Sequence, residues 1–144
     1  MKQNVAVVLF VAIALGTVAQ ADDAITRAKL SGAWQLGSDK GGSTWILDEK
    51  GDAIHITYLE GDQKLAEFEC NTMGRDCDVK ESGKSAKVSM WFSGSKLVEL
   101  VTKGRQVVKR QFAVAEPGDT LELEVIPIQP DGKTETIRFR RVQR

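Results

Sequence analysis

Turn-forming sequences recur at short intervals along this chain and leave only short segments between them. The turns contain Gly or Pro beside polar residues, and they fall at 41–42, 50–52, 60–62, 82–83, 93–95, 103–104, 117–119 and 130–132. The segments between them alternate apolar and polar residues, as in the Leu-Glu-Leu-Glu-Val stretch at 121–125. Because successive side chains of a strand point to opposite faces, each segment predicts a strand with one buried and one wet face. The pattern is typical of an antiparallel meander.

The spacing predicts about eight strands in a single all-β domain spanning residues 22–144. They lie near 32–36, 43–49, 53–60, 64–70, 77–80 with 86–93, 96–103, 105–115, 119–128 and 134–142. A closed barrel of about eight strands has an interior just wide enough for side chains or one small ligand. One short helical turn is predicted at 22–29, with acidic residues at its start and basic residues at its end. We therefore expect a small β-barrel.

The first 21 residues have the features of a cleaved secretory signal. Lys2 gives a positive start, an apolar run extends from Val5 to Val18, and Ala19-Gln20-Ala21 has the small-x-small form of a cleavage site. The run is shorter than the roughly 20 residues of a membrane-spanning helix. We expect cleavage near Ala21/Asp22, a secreted or periplasmic protein, and no membrane span after cleavage.

The overall charge excludes one class of partner. The 144 residues carry 20 Lys and Arg against 20 Asp and Glu. A nucleic-acid-binding protein normally has a basic excess or patch, so no nucleic-acid partner is expected.

Cys70 and Cys77 are the two cysteines of the chain. In an exported protein, a close pair is most simply a disulfide that closes a local loop. Their spacing is not that of a C-x-x-C redox pair, and no second Cys/His pair completes a zinc site. We expect a structural disulfide and neither a metal nor a cofactor.

The segment Leu30-Ser31-Gly32-Ala33-Trp34, following a short helical turn, resembles the opening of lipocalins and their calycin relatives. The resemblance extends over residues 24–142, and this region is similar to small secreted lipocalin-like domains of bacteria. It implies that Trp34 plugs one end of the barrel under a basic residue of the last strand. Arg141 shares the face of Ile137 and Phe139, whereas Arg138 and Arg140 face water. The resemblance therefore assigns barrel closure to Trp34 and Arg141.

Arg110 is the polar residue most suggestive of a binding site. It shares the apolar face of its strand with Val108 and Phe112, and a buried charge needs a partner. Two interpretations remain open: Arg110 receives a ligand carboxylate, as in fatty-acid binders of the calycin group, or it pairs with Glu99 of the neighbouring strand. The narrow barrel favours the pair with Glu99.

The sequence does not indicate an enzyme. His55, the single histidine, falls on the wet face of its strand, so a nucleophile activated by histidine has no base. No glycine-rich phosphate loop, G-x-S-x-G or metal motif is present.

We therefore expect an exported binding protein that holds a small apolar or fatty-acid-like ligand inside its barrel. The candidate ligand-binding residues are the inward-facing side chains Tyr58, Met90, Phe92, Arg110, Phe112, Leu123 and Phe139. The alternative is a protein-binding module with an extracytoplasmic protein partner, for example a periplasmic enzyme inhibitor. It would act through the Cys70–Cys77 loop and outward-facing Trp91. Phe68-Glu69-Cys70 resembles an F-x-C feature of such inhibitors.

Overall fold

The computed structural model describes residues 24–37 and 41–143, which form one short helix and ten strands. The helix, α1, covers residues 24–28. The strands are β1 (Gly32–Gln35), β2 (Ser43–Lys50), β3 (Ala53–Glu60), β4 (Gln63–Asn71), β5 (Cys77–Glu81), β6 (Lys84–Ser93), β7 (Lys96–Lys103), β8 (Gln106–Ala115), β9 (Thr120–Gln129) and β10 (Glu135–Val142). The predicted signal segment, residues 1–21, lies outside the described residues.

The strands form an antiparallel meander that closes on itself. Each strand pairs with the next along the chain, and β1 also pairs with β10, which completes the barrel. The predicted all-β barrel and the short helix before it are therefore confirmed. The expected number of about eight strands is wrong, because there are ten. Segments 77–80 and 86–93, counted together in the sequence, are separate strands, since Ser82 and Gly83 both have positive φ and form a tight hairpin turn.

The two ends of the barrel are different. The lower end carries α1 and the turns after β2, β4, β6 and β8, while the upper end carries the turns after β3, β5, β7 and β9. Buried apolar side chains fill the barrel from the lower end, and Trp34, Ile54, Met90, Phe112 and Leu121 are all fully buried. No helix among the described residues is long and apolar enough to cross a membrane.

Arg141 contacts several of the segments that meet at the lower end. Its guanidinium lies 4.1 Å from the centroid of the Trp34 ring. It donates hydrogen bonds to the backbone carbonyls of Lys29, Ser31 and Gly118, at 2.5, 2.9 and 3.2 Å. One side chain of β10 therefore contacts the end of α1, the start of β1 and the turn between β8 and β9.

Gly32 is required beneath this guanidinium. A Cβ atom built on Gly32 would lie 2.5 Å from Nη1 of Arg141, and its φ of +148° is one that other residues rarely adopt. The glycine of the Gly32-Ala33-Trp34 segment thus makes room for the residue that covers the tryptophan.

The seam between β4 and β5 is the weakest part of the barrel wall. Among the described residues, the two strands share one register pair, Ala66 with Glu81, whereas β3 and β4 share eight. The predicted disulfide between Cys70 and Cys77 is confirmed, and it joins these same two strands toward the lower end. The disulfide therefore replaces backbone pairing that the seam lacks.

We predict that the Cys70→Ser/Cys77→Ser variant loses about 2.5 kcal/mol of unfolding free energy, the value expected for closing a loop of this size. Urea denaturation of variant and wild type would measure the loss. Hydrogen exchange should accelerate most in β4 and β5. Uniform acceleration over all ten strands would contradict the assignment of the seam as the weak point.

We predict that Arg141→Ala destabilises the protein by about 1–2 kcal/mol, because it removes the contact over Trp34 and the carbonyl hydrogen bonds. Arg140→Ala is the matched control, since Arg140 is an exposed neighbour on the same strand. Thermal unfolding followed by circular dichroism would compare the two variants. Equal melting temperatures would show that Arg141 does not stabilise the closure.

Candidate functional site

A cavity of about 210 Å³ opens at the upper end of the barrel. Its walls are mainly apolar and aromatic, with one cationic side chain: Leu36, Ser43, Trp45, Tyr58, Arg110, Leu123, Val125, Ile137 and Phe139. An apolar cavity with a few polar groups is the usual form of a small-molecule site, although this one is smaller than the usual range of about 300–1,000 Å³. The buried core below it accounts for the small volume.

Arg110 anchors a cluster of charges beside this cavity. Its Nη1 donates to Glu99 Oε1 at 2.9 Å and to Glu81 Oε1 at 3.0 Å. Lys103 Nζ lies 3.5 Å from the second oxygen of Glu81. The guanidinium also lies 5.5 Å from the centroid of the Trp45 ring. The pairing with Glu99 that the sequence favoured is therefore present, and Glu81 adds a second carboxylate.

Glu99 is the most deeply buried of these charged groups, with its side chain 1 % exposed. Burial raises the pKa of Glu99 above its ordinary value, while the charge of Arg110 opposes that rise. The pKa of Arg110 is also raised: burial lowers it, but the two carboxylates outweigh that effect. Oε2 of Glu99 is buried without a hydrogen-bond partner among the described residues. The guanidinium of Arg110, which is always charged, therefore contacts the carboxyl group of Glu99, whose ionised form is disfavoured by burial.

Tyr58 and Trp45 form the aromatic wall of the cavity. Their ring centroids lie 4.5 Å apart in a stacked arrangement. The Tyr58 hydroxyl donates to Glu60 Oε1 at 2.8 Å and lies 3.4 Å from Ser43 Oγ. Burial is the main cause that raises the pKa of Tyr58, so the hydroxyl stays protonated at neutral pH. It remains a hydrogen-bonding group at the rim.

The predicted ligand-binding residues do not form one group. Tyr58, Arg110, Leu123 and Phe139 line the upper cavity. Met90 and Phe112 are fully buried in the core. Phe92 lies toward the lower end, where the guanidinium of Arg27 lies 4.5 Å from its ring centroid. Alternation correctly predicts which face a side chain occupies, but it does not give its height in the barrel.

Several residues of the site are not among those predicted. Glu81 is the most important, because it binds Arg110 directly. Its position two residues after Val79 on an alternating strand could have indicated an inward carboxylate. Trp45, Val125 and Ile137 also line the cavity.

Trp91 is half-buried and forms one surface with the Cys70–Cys77 loop. Met73 of that loop makes a β-bridge with Trp91, and Gly74 N donates to Met90 O at 2.8 Å. Met73 itself is 55 % exposed. A depression of about 440 Å³ lies beside these residues, with Arg27, Glu49 and Asp52 on its walls. The loop therefore covers part of the tryptophan.

The described residues place His55 on the outer wall and contain no cluster of His, Cys, Asp and Glu that could hold a metal. His55 Nε2 lies 3.3 Å from Glu67 Oε1. Hydrogen bonds from Lys64 and His55 lower the pKa of Glu67, which is exposed to solvent. These contacts form a solvated strand face.

A wider depression of about 520 Å³ lies along the hairpin of β5 and β6. It is lined by Asp78, Val79, Lys80, Ser85, Ala86, Lys87, Thr102 and Gly104. This depression is open to solvent and has no aromatic side chain in its lining. The cavity inside the barrel, which combines stacked rings with a buried charge cluster, is the better candidate site.

No protein-family model matches this chain, and no curated protein matches its sequence. Its fold, however, is similar to those of solved fatty-acid-binding barrels. A Schistosoma mansoni fatty acid binding protein in complex with arachidonic acid matches with a TM-score of 0.68 and 17% identity, over 82% of this chain and 99% of that one. The REP1-NXSQ fatty acid transporter matches with a TM-score of 0.66 and 15% identity, over 81% of this chain and 98% of that one.

Secretory abundant heat soluble protein 4 from Ramazzottius varieornatus has the same architecture, with a TM-score of 0.65, 14% identity, and 78% of this chain and 94% of that one covered. The expected calycin-type fold is therefore confirmed. The chain has the fold of a calycin-type β-barrel, with a narrow cavity at one end.

We predict that Glu99→Gln changes how stability depends on pH. Because its folded pKa is raised, Glu99 contributes stability that is complete below its unfolded pKa of about 4.3 and is lost as pH rises through the folded pKa. Glutamine imitates the protonated form and keeps an acceptor for Arg110. The unfolding free energy of the variant minus that of the wild type should therefore rise with pH, by about 1.4 kcal/mol per tenfold difference in proton affinity between folded and unfolded states.

Urea denaturation midpoints measured from acid to neutral pH would test this. Glu122→Gln is the control, because Glu122 pairs with Arg138 on the outer wall. A difference that falls with rising pH would show that Arg110 lowers the pKa of Glu99 below its unfolded value.

Proposed function

We propose that this chain is an exported carrier that binds a small apolar ligand in the upper cavity of its barrel and catalyses no reaction. The observation that carries the proposal is the cavity itself, in which stacked Trp45 and Tyr58 face Leu123 and Ile137 beside the Arg110 cluster. Burial of apolar surface supplies the affinity, and the polar groups orient the ligand. Export rests on the signal-like N-terminus and on the disulfide.

The solved structures with the same fold support the proposal. Two of those described above are named as a fatty acid binding protein and a fatty acid transporter, and neither name describes an enzyme. The small cavity favours a short ligand over a long acyl chain, because fully buried side chains such as Met90 and Phe112 already occupy space in the interior.

A protein-binding role through the Cys70–Cys77 loop and Trp91 remains a hypothesis. Met73 gives the loop one exposed apolar side chain, but Trp91 is only half-exposed. The depression beside them has largely polar and charged walls. Ligand binding in the barrel is the better supported function.

We predict that a solvent-sensitive apolar fluorophore binds the wild type saturably at one site, and that Val125→Trp weakens this binding by more than about tenfold, or about 1.4 kcal/mol. The larger side chain would fill the cavity that Val125 lines. Ile126→Trp is the matched control, because the next residue along the strand points to the outer face. Fluorescence titration of all three proteins would give the dissociation constants.

Absence of saturable binding by the wild type would overturn the proposed function. Equal loss of binding in both variants would show that the fluorophore binds outside the cavity. Circular dichroism of each variant would verify that the barrel is intact.

A further inference from the structure

We propose that the ligand of the upper cavity carries an uncharged oxygen group, such as a hydroxyl or an amide carbonyl, rather than a free carboxylate. This inference rests on the proposed function and names the ligand class of that site. It follows from the hydrogen bonds and ion pairs that Arg110 already makes in the folded protein.

Among the described residues, Arg110 is the single cationic side chain in the cavity wall, and its charge is already balanced. Glu81 and Glu99 both accept hydrogen bonds from the same nitrogen, Nη1. Lys103 is paired with the remaining oxygen of Glu81. A ligand carboxylate would therefore enter beside two carboxyl groups, and the cluster formed by the described residues offers it no free counter-charge.

The repulsion would be substantial in this location. The side chains of Glu81 and Glu99 are 12 % and 1 % exposed, so water screens their charges poorly. Like charges held in such surroundings disfavour one another strongly. An added anion would compete with Glu81 for Arg110, and displacing Glu81 would leave a largely buried carboxylate with Lys103 as its remaining ion-pair partner.

Arg110 nevertheless retains donors for a ligand. Within the described residues, all of its side-chain hydrogen bonds run from Nη1, whereas a guanidinium has five N–H donors. Nε and Nη2 can therefore donate to an oxygen without disturbing either carboxylate. An uncharged acceptor satisfies these donors and leaves the local charge unchanged.

The aromatic wall fits the same type of ligand. The Trp45 ring stacks on Tyr58 at a centroid distance of 4.5 Å, and its centroid lies 5.5 Å from the guanidinium of Arg110. An alkyl chain against Leu123, Val125 and Ile137 would place its polar end near Arg110. A short alcohol or amide therefore matches both the apolar and the polar part of the cavity.

The test compares three probes with one alkyl chain, namely octanol, octanamide and octanoate, in mildly alkaline buffer. Nuclear magnetic resonance titration would follow the indole N–H of Trp45 and the Nε–H of Arg110, which report binding in this cavity. We expect octanol and octanamide to bind at least about tenfold more tightly than octanoate. Octanoate binding as tightly as octanol or more tightly would overturn the inference while leaving the proposed function intact. Absence of binding by all three probes would overturn the proposed function as well.

Two variants change the charge in opposite directions. Glu81→Gln removes one carboxylate and should raise octanoate affinity relative to octanol, by about tenfold or more. Lys103→Gln removes a cation and should lower the affinity for octanoate relative to octanol. If one of the two variants fails to fold, the other still tests the inference. Glu122→Gln on the outer wall is the control and should leave the ratio unchanged. A ratio that is the same in all four proteins would show that the charge cluster does not select the headgroup.

Discussion

The fold depends on joining the first strand to the last. An antiparallel meander with one apolar face can bury that face only by folding over or by closing, and here β1 pairs with β10. Trp34 of β1 and Arg141 of β10 are partners in that ladder, and the guanidinium covers the indole ring. The same guanidinium binds the carbonyls at the end of α1 and in the turn after β8. The same contacts therefore close the barrel, cover its lower end and hold the helix against it.

Closure from the lower end also determines where a ligand can bind. Large side chains fill the barrel above Trp34, and the cavity that the described residues line lies between Trp45 and the rim. The charge cluster of Arg110, Glu81 and Glu99 lies beside this remaining space. A wider barrel would leave room for a long acyl chain and a free arginine, whereas here the arginine is held by protein carboxylates. The narrow interior and the paired arginine both favour a short, uncharged ligand.

Sequence reasoning succeeded wherever the relevant contact follows from alternation or from nearness along the chain. The inward face of Arg110 and its pairing with Glu99 follow from alternation on two consecutive strands. The disulfide follows from two cysteines seven positions apart. Glu81 was missed because the predicted segment 77–80 ended one residue before it and was counted together with 86–93 rather than as a strand of its own. Phe92 was placed with the other candidates because alternation predicts the face of the strand on which a side chain lies, but not its position along the barrel axis.

The sequence by itself determined the all-β architecture, the inward and outward faces of the strands and the disulfide. These properties depend on local patterns, because a strand alternates every second residue and a short loop brings its own ends together. Only the tertiary structure decided that the barrel has ten strands, that its lower part is filled, and that Glu81 reaches Arg110 across 29 positions of sequence. Those properties depend on strand tilt and on the packing of side chains from distant strands, which no local pattern contains.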